Sequence, residues 1–519
     1  MNTKRLFYTL AASVMLAVLM TACSSNDDNP VPDSPEAPAE SYETILGFFK
    51  QINAVPRPTH HEEKMVDFLT DFAKKRNLRY VLDGKNVIIY KDATTGMEQA
   101  PGVILQAHTD MVCVAAEGYD IDFLTQGIES VNDGTYIHSK DRLTSLGADD
   151  GIGVAMILAV LNSDRIQHGP LECLFTWDEE DEFSGATSLP ADILKGQYMF
   201  NIDWEQEGEL CIGTAGGVEV DVTLSYEPIA VPAGYMALKL SISDATGGHS
   251  GVAINDGGAN AIKLLADFLH SQVDNMRLVS MNGGAFPNVI AVSASASVLV
   301  PDAQKEAFTD SWNTFMTEAK QQYASTDPMM TYKIEDIDLP ARCLTDTDSR
   351  VIITGLSKAP QGVAAWSTTI DNMFETSDNI GVVGVGDGYF YTEYLVRGFN
   401  NQGIDNLASD IEKAYLDANA SFVCERIAPY SSWSPDINSP LMVYAQKIYQ
   451  QYFGKPIYLC KVGGGLELSE FTVKYPDMQF ISYGPTIYDA HTVNERVEIK
   501  SIRDCWNYTI YLLKLIKTI

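Results

Sequence analysis

The segment "LECLFTWDEEDEFSGA", Leu171 to Ala186, runs an apolar stretch into five consecutive acids, Asp178 to Glu182. A short apolar run bounded by turn residues reads as a buried strand. Five like charges at its end fit either a solvated turn or a metal or acid/base site at a strand terminus. The neighbouring segments decide between these. "NVIIYK", "GVILQAHTD" and "YMFNIDW" are further strands, and "GIGVAMILAVLNS" is an apolar helix. Strands and helices alternating at this length predict an α/β domain with a mixed, largely parallel sheet. In such a sheet the carboxyl ends of the strands line the functional crevice.

From Val218 the texture changes. "VEVDVTLSYEP", "YMALKLSISDATGG" and "VIAVSASASVLV" alternate with period two, and the amphipathic helices "NAIKLLADFLHSQ" and "AQKEAFTDSWNTFMTEAKQQY" fall between them. A strand-rich stretch from "RVIITGLSK" to "YFYTEYLVRGF" follows, then the helix "DNLASDIEKAYLDANA". The last segment returns to strand-helix-strand and ends in the helix "SIRDCWNYTIYLLKLIKTI". The expected organisation is a catalytic domain in two parts, 42–217 and 432–519, interrupted by an α+β lid at 218–431.

The N-terminus reads as a targeting segment. Lys4 and Arg5 precede an apolar run, and "MTAC" places small residues before Cys23. This predicts a lipoprotein signal peptide over 1–22, lipidation at Cys23, a Pro- and acid-rich disordered tether over 23–41, and a membrane-anchored protein of the bacterial envelope, periplasmic or at the cell surface. The remaining cysteines are scattered, without a C-x-x-C pair, so free thiols are expected rather than a disulfide framework or thiolate metal site. The net charge of −33 excludes a basic nucleic-acid footprint.

Eight histidines can be weighed singly. Thr59 with Glu62 three residues on reads as a capping box, which assigns His60 and His61 to a helix start. His138, His168 and His270 read as surface or packing residues. His108 ends the strand "VILQAH", and Asp110, two residues on, falls on the same side. Asp110 can therefore accept the second ring N–H of His108, as carboxylates behind metal-bound histidines do. Asp149 and Asp150 lie in a glycine-flanked turn at the mouth of the apolar helix. Glu179 and Glu180, Asp203 in "MFNIDWEQEGEL" and His491 after a Gly-Pro turn complete a set of carboxylates and imidazoles at strand ends. Such a set suits one or two divalent transition metals, zinc first among them.

The stretches "AVPRPTHHEEK", "LQAHTDMV", "TSLGADDGIGVA", "FTWDEEDEFSGA", "NIDWEQEGELCIGTAGG", "GGHSGVAI", "GGLELSE" and "GPTIYDAHTVNERVEI" resemble, in order, the zinc-dependent metallopeptidase family of glutamate carboxypeptidase, aminoacylase and carnosinase. Within it they resemble the bacterial aminoacyl-histidine dipeptidase branch, also called cytosol non-specific dipeptidase. The resemblance implies a zinc-exopeptidase-like fold with a lid and hydrolysis of short unblocked peptides, Xaa-His among them. It implies two divalent ions: zinc, or else manganese or cobalt. His108 and Asp203 would bind one ion, Glu180 and His491 the other, and Asp149 both. Glu179 would be the general base, Asp110 the orienting residue and His249 the oxyanion contact from the lid. Asn288 and Arg397 would bind substrate. The Asp149–Asp150 peptide would be cis. A homodimer through the lid is compatible with this pattern, and membrane contact would run through the N-terminal lipid alone. A deacylase or carboxypeptidase of the same clan and a non-catalytic binding lipoprotein are the alternatives. The chain departs from the pattern at Asp150, Asp181, Glu182 and Gly258, and at Gly463 or Gly464, where the family has a histidine.

Overall fold

A computed structural model describes residues 42–368, 370–434 and 436–519. The expected signal peptide, the tether and Cys23 lie outside them. The first sheet is built from β1 (Tyr80–Asp83), β2 (Asn86–Lys91), β3 (Val103–His108), β4 (Leu171–Thr176), β5 (Tyr198–Asn201) and β6 (Glu209–Thr214), with two strands from the end of the chain. All six residues of β3 and all four of β5 are buried, as strands covered on both faces require. Helices α1 (Tyr42–Asn53), α2 (Glu63–Lys75) and α3 (Ala148–Asn162) share its larger core. Every residue of α3 from Ala148 to Leu161 is buried. That is why this helix is apolar on all sides instead of amphipathic.

The second sheet is antiparallel. It comprises β7 (Gly216–Ser225), β8 (Tyr235–Ser243), β10 (Arg277–Gly284), β12 (Ala294–Pro301), β13 (Thr331–Ile337), β14 (Gly362–Trp366), β15 (Phe374–Gly386), β16 (Tyr389–Gly398) and β17 (Val423–Tyr430). Its main path runs β13-β8-β12-β10-β15-β16-β7-β17, with β14 paired to β15. The two-residue strands β9 (Gly248–His249) and β11 (Val289–Ile290) pair with each other beside it. Helices α4 (Ala261–Ser271), α5 (Lys305–Gln322), α6 (Asp346–Lys358) and α7 (Asn401–Ala418) share its core.

The chain then returns through α8 (Pro440–Phe453), β18 (Tyr458–Val462), α9 (Leu468–Lys474), β19 (Gln479–Ser482) and α10 (Ile499–Leu515). The first sheet is completed in the order β1-β2-β4-β3-β5-β19-β6-β18. Pairs β3–β4, β3–β5, β5–β19 and β6–β18 are parallel, whereas β1–β2, β2–β4 and β19–β6 are antiparallel. This is the expected α/β fold with a mixed, largely parallel sheet.

Two local expectations fail. "RVIITGLSK" is part of helix α6, not a strand. Thr345 caps that helix by accepting from Asp348 N–H, and Ser349, Ile352, Ile353 and Leu356 bury one face. Capping and burial outweigh the β-branched run. The Thr59–Glu62 capping box does not form either. Glu62 precedes α2 without a side-chain cap, and the Thr59 hydroxyl donates to Asp110 at 3.1 Å. The cysteines of the described residues are free, as expected.

Candidate active site

His108 is the last residue of β3, and its register partner on β4 is Thr176, so these parallel strands end at one edge. Glu179 and Glu180 follow β4 there, Asp203 follows β5, and Asp149 opens α3. His491 arrives from the loop before α10. The Asp149 carboxylate stands between the two imidazoles: Oδ1 lies 2.9 Å from His108 Nε2 and Oδ2 lies 3.0 Å from His491 Nε2. Asp203 Oδ1 lies 3.4 Å from His108 Nε2, and Glu180 Oε2 lies 2.9 Å from His491 Nε2. Two donor triads result, His108–Asp149–Asp203 and Asp149–Glu180–His491, each with its ligand atoms within 4.8 Å of one another. The peptide between Asp149 and Asp150 is cis.

This donor set fits a pair of divalent ions. It mixes imidazole and carboxylate, one carboxylate is common to both triads, and Glu180 Oε1 is buried without a hydrogen-bond partner. The electrostatics point the same way. Burial pushes Asp203 up to about 6, and burial reinforced by Asp149 raises Glu180. For Asp149 burial acts upward, but the hydrogen bonds of His108 and His491 win and hold it low. For His108 burial acts downward, but Asp203 and the hydrogen bonds to Asp110, Asp149 and Asp203 hold it well above its usual range. His491, bonded to Asp149 and Glu180, is raised to about 11. Carboxylates this close repel unless cations sit among them.

A cavity of about 610 Å³ opens over the cluster, with Asp149, Glu179, Glu180, Asp203, Trp204 and His491 in its wall. Glu179 is raised well above the carboxylate range, first by burial and then by Asp203, Glu180 and Glu467, against His108. Asp110 has a firmer task than orienting His108. Its Oδ1 is 3.4 Å from His108 Nδ1, a long contact, while its carboxylate accepts the backbone N–H groups of Glu179 and Glu180 at 3.1 and 3.3 Å. It thereby fixes the turn that carries both glutamates.

The three expected lid contacts stand apart from this cluster. His249, Asn288 and Arg397 are not among the residues lining the cavity. His249 on β9 pairs with Val289 on β11, beside Asn288, whose carbonyl accepts Ser250 N–H at 2.9 Å. Arg397 is buried. It donates to the Tyr430 hydroxyl at 2.7 Å and to Gly463 O at 3.0 Å. Burial and Arg397 lower His249.

Four charged residues escaped the sequence reading. Glu205 lies in the cavity wall and is pushed up to about 8 by burial and by Asp149 and Asp203. Glu467 accepts from Gln106 Nε2 and Thr176 Oγ1 at 2.6 Å each, and burial raises it to about 8. Arg57 and Glu495 hold the turn before Asp149. All four occur in the stretches that carried the family resemblance, but no local pattern marks a charge as buried.

Comparison with known proteins finds relatives along most of the chain. Residues 104–515 match Peptidase family M20/M25/M40. The chain is 34% identical over 477 residues to the cytosol non-specific dipeptidase of Escherichia coli, covering 91% of this chain and 98% of that protein. The crystal structure of an aminoacylhistidine dipeptidase from Vibrio alginolyticus superimposes with a TM-score of 0.87 at 33% identity, covering 91% of this chain and 96% of that one. An aminopeptidase from Bacillus cereus shares the fold at a TM-score of 0.54 and 15% identity, over 92% of this chain and all of its own.

One expectation is overturned here. The Escherichia coli relative, aligned over nearly the whole chain, is named for the cytosol, against the membrane-anchored envelope location expected from residues 1–22 and Cys23. An apolar run and one cysteine form a short local pattern, and a similarity extending through the folded chain outweighs it. The signal peptide, lipid anchor and envelope location are withdrawn. The matches of sequence and structure converge on one conclusion: the chain belongs to Peptidase family M20/M25/M40.

Proposed function

We propose that this protein is a metal-dependent dipeptidase that hydrolyses short unblocked peptides, Xaa-His among them, with two divalent ions, zinc by preference. The observation that carries this is Asp149, whose two oxygens face His108 and His491 at 2.9 and 3.0 Å. His108 and Asp203 would hold one ion, Glu180 and His491 the other, and Asp149 both. Bound there, the ions supply Lewis acidity and bring the pKa of water from about 15.7 toward about 7.

The rest is done by the chain. Glu179 takes the proton of the attacking water at its carboxylate and returns it to the departing amine. Its raised affinity for a proton, from burial and from Asp203, Glu180 and Glu467, suits both steps. Asp110 keeps the Glu179–Glu180 turn in place through the two backbone N–H groups. His249 would donate to the oxygen that gains charge, and Asn288 and Arg397 would hold the substrate. These three lie outside the cavity wall, so the second sheet must close over it for them to act.

The test uses the full chain loaded with zinc, manganese or cobalt and offered dipeptides, tripeptides and N-acyl amino acids. Dipeptides are expected to be cut. Glu179→Ala should lower kcat by about 10²–10⁴-fold or more with metal content unchanged. Wild-type turnover in that variant would remove Glu179 from its role. Cleavage of N-acyl amino acids alone would replace the dipeptidase with a deacylase.

A further inference from the structure

We propose that His60, Asp178 and Asp181 form a third divalent-cation site, on the outer side of the acidic turn and separate from the pair that shares Asp149. This goes beyond the proposed function and does not depend on it. One donor atom from each residue lies within 4.8 Å of the other two. His60 Nε2 lies 3.0 Å from Asp181 Oδ2 with hydrogen-bond geometry. Nδ1 in turn lies 3.1 Å from Asp178 Oδ1.

Asp178 is the second observation. Its side chain is only 1% exposed. Oδ2 accepts from the Ser184 hydroxyl, while Oδ1 has no hydrogen-bond partner and faces the ring. A buried carboxylate oxygen without a donor is costly. A cation held between Oδ1 and the ring nitrogen would satisfy it. The geometry favours a metal ion over a shared proton. A proton would put Oδ1 on the N–H axis, and the contact lacks that alignment. Two ligands of one ion sit to the side of each other's axis. With metal–ligand bonds of about 2.0–2.1 Å their separation is ~3.3 Å for a tetrahedral edge and ~2.9 Å for an octahedral one, bracketing the observed contact. Asp181, 60% exposed, offers the third donor, and water completes the shell on the open side. An imidazole with carboxylates suits zinc or manganese. The neighbouring side-chain cation, Lys85, is engaged by Glu62, Glu63 and the His60 carbonyl.

The position gives the site a purpose. Asp178 and Asp181 bracket Glu179 and Glu180, and Asp181 also lines the cavity. A cation here pins the turn that presents both glutamates. Asp181 is also one of the residues at which the chain departs from its family's pattern.

The full chain, stripped with a chelator and dialysed against zinc, is analysed for metal by plasma mass spectrometry, with zinc uptake followed by titration calorimetry. The parent should hold about three equivalents, and His60→Ala and Asp181→Ser about two each. Asp181 is exposed, so its variant folds even if the other does not. His61→Ala, at an exposed neighbour, should keep about three. The proposal is overturned if both variants keep the parent's content, or if His61→Ala is the one that loses an ion. Asp149→Asn separates the readings. It should lose the shared pair and keep the third ion, whereas unchanged content in Asp149→Asn beside a loss in His60→Ala would leave this site standing and remove the shared pair.

Discussion

Arg57 and Glu495 hold the same turn from opposite polarities. Arg57 donates to Gly147 O and also to Thr109 O and Asp110 O at 3.2 and 2.8 Å. Glu495 accepts the N–H groups of Leu146, Gly147 and Ala148 at 2.7, 3.0 and 2.7 Å. The turn before Asp149 is thereby tied to the segment after His108 and to the loop of His491. The forked guanidinium spans three carbonyls, and an ammonium cannot. Arg57→Lys should leave buried carbonyls unpaired and cost about 2–4 kcal/mol. Chemical denaturation measures this, and an unchanged midpoint would show that the fork is dispensable.

Asp149→Asn tests the shared carboxylate. An amide offers one acceptor oxygen and one donor nitrogen, so it cannot face two imidazoles as Asp149 does. Activity on dipeptides should fall by more than about 10³-fold, the scale of losing a central catalytic group. Chelation of the parent should lower its thermal midpoint, because ions that bind only the native state stabilise it by about 2.7 kcal/mol at a hundredfold excess over Kd. Equal midpoints with and without chelator would mean that the carboxylates tolerate one another unaided.

What the sequence made legible was local. β3, β4 and β5 announce themselves as apolar runs ending in His108, the acidic turn and Asp203, and the second sheet by its period of two. What stayed hidden needed partners distant in the chain. Thr59 looked like a cap because Glu62 follows it, yet its hydroxyl serves Asp110, 51 residues away. Glu467 reaches Gln106 across 361 residues, and nothing in the residues around it shows that it is buried. "RVIITGLSK" reads as a strand yet folds as helix α6, because β-branched residues favour strands only when no cap and no buried helical face compete.

Gly463 and Gly251 make the close contact between the turn after β18 and the loop after β9. A Cβ on Gly463 would overlap Gly251 O, and Gly463 O is the acceptor of Arg397. Gly463→Ala must push the two segments apart, at about 1–3 kcal/mol. If Arg397 holds substrate, KM should rise more than kcat falls. A variant with unchanged stability and KM would show that this contact yields freely.

Asp378 gives the pH dependence its clearest sign. Its side chain on β15 is 1% exposed, and neither oxygen has a hydrogen-bond partner. Burial pushes it up to about 8, with Lys263 only partly opposing. The unfolded value is about 3.9. Between these values the native state holds a proton that the unfolded state has released, so stability falls as pH rises. The contribution is fully present below about pH 4 and gone above about pH 8. A shift near four pH units corresponds to roughly 5 kcal/mol in order of magnitude. Asp378→Asn keeps the shape and cannot ionise. The variant should therefore gain on the parent steadily from about pH 5 to about pH 8, with a constant gap beyond. Denaturation midpoints of both proteins across that range measure the gap, and a gap that stays flat would mean that Asp378 is ionised throughout.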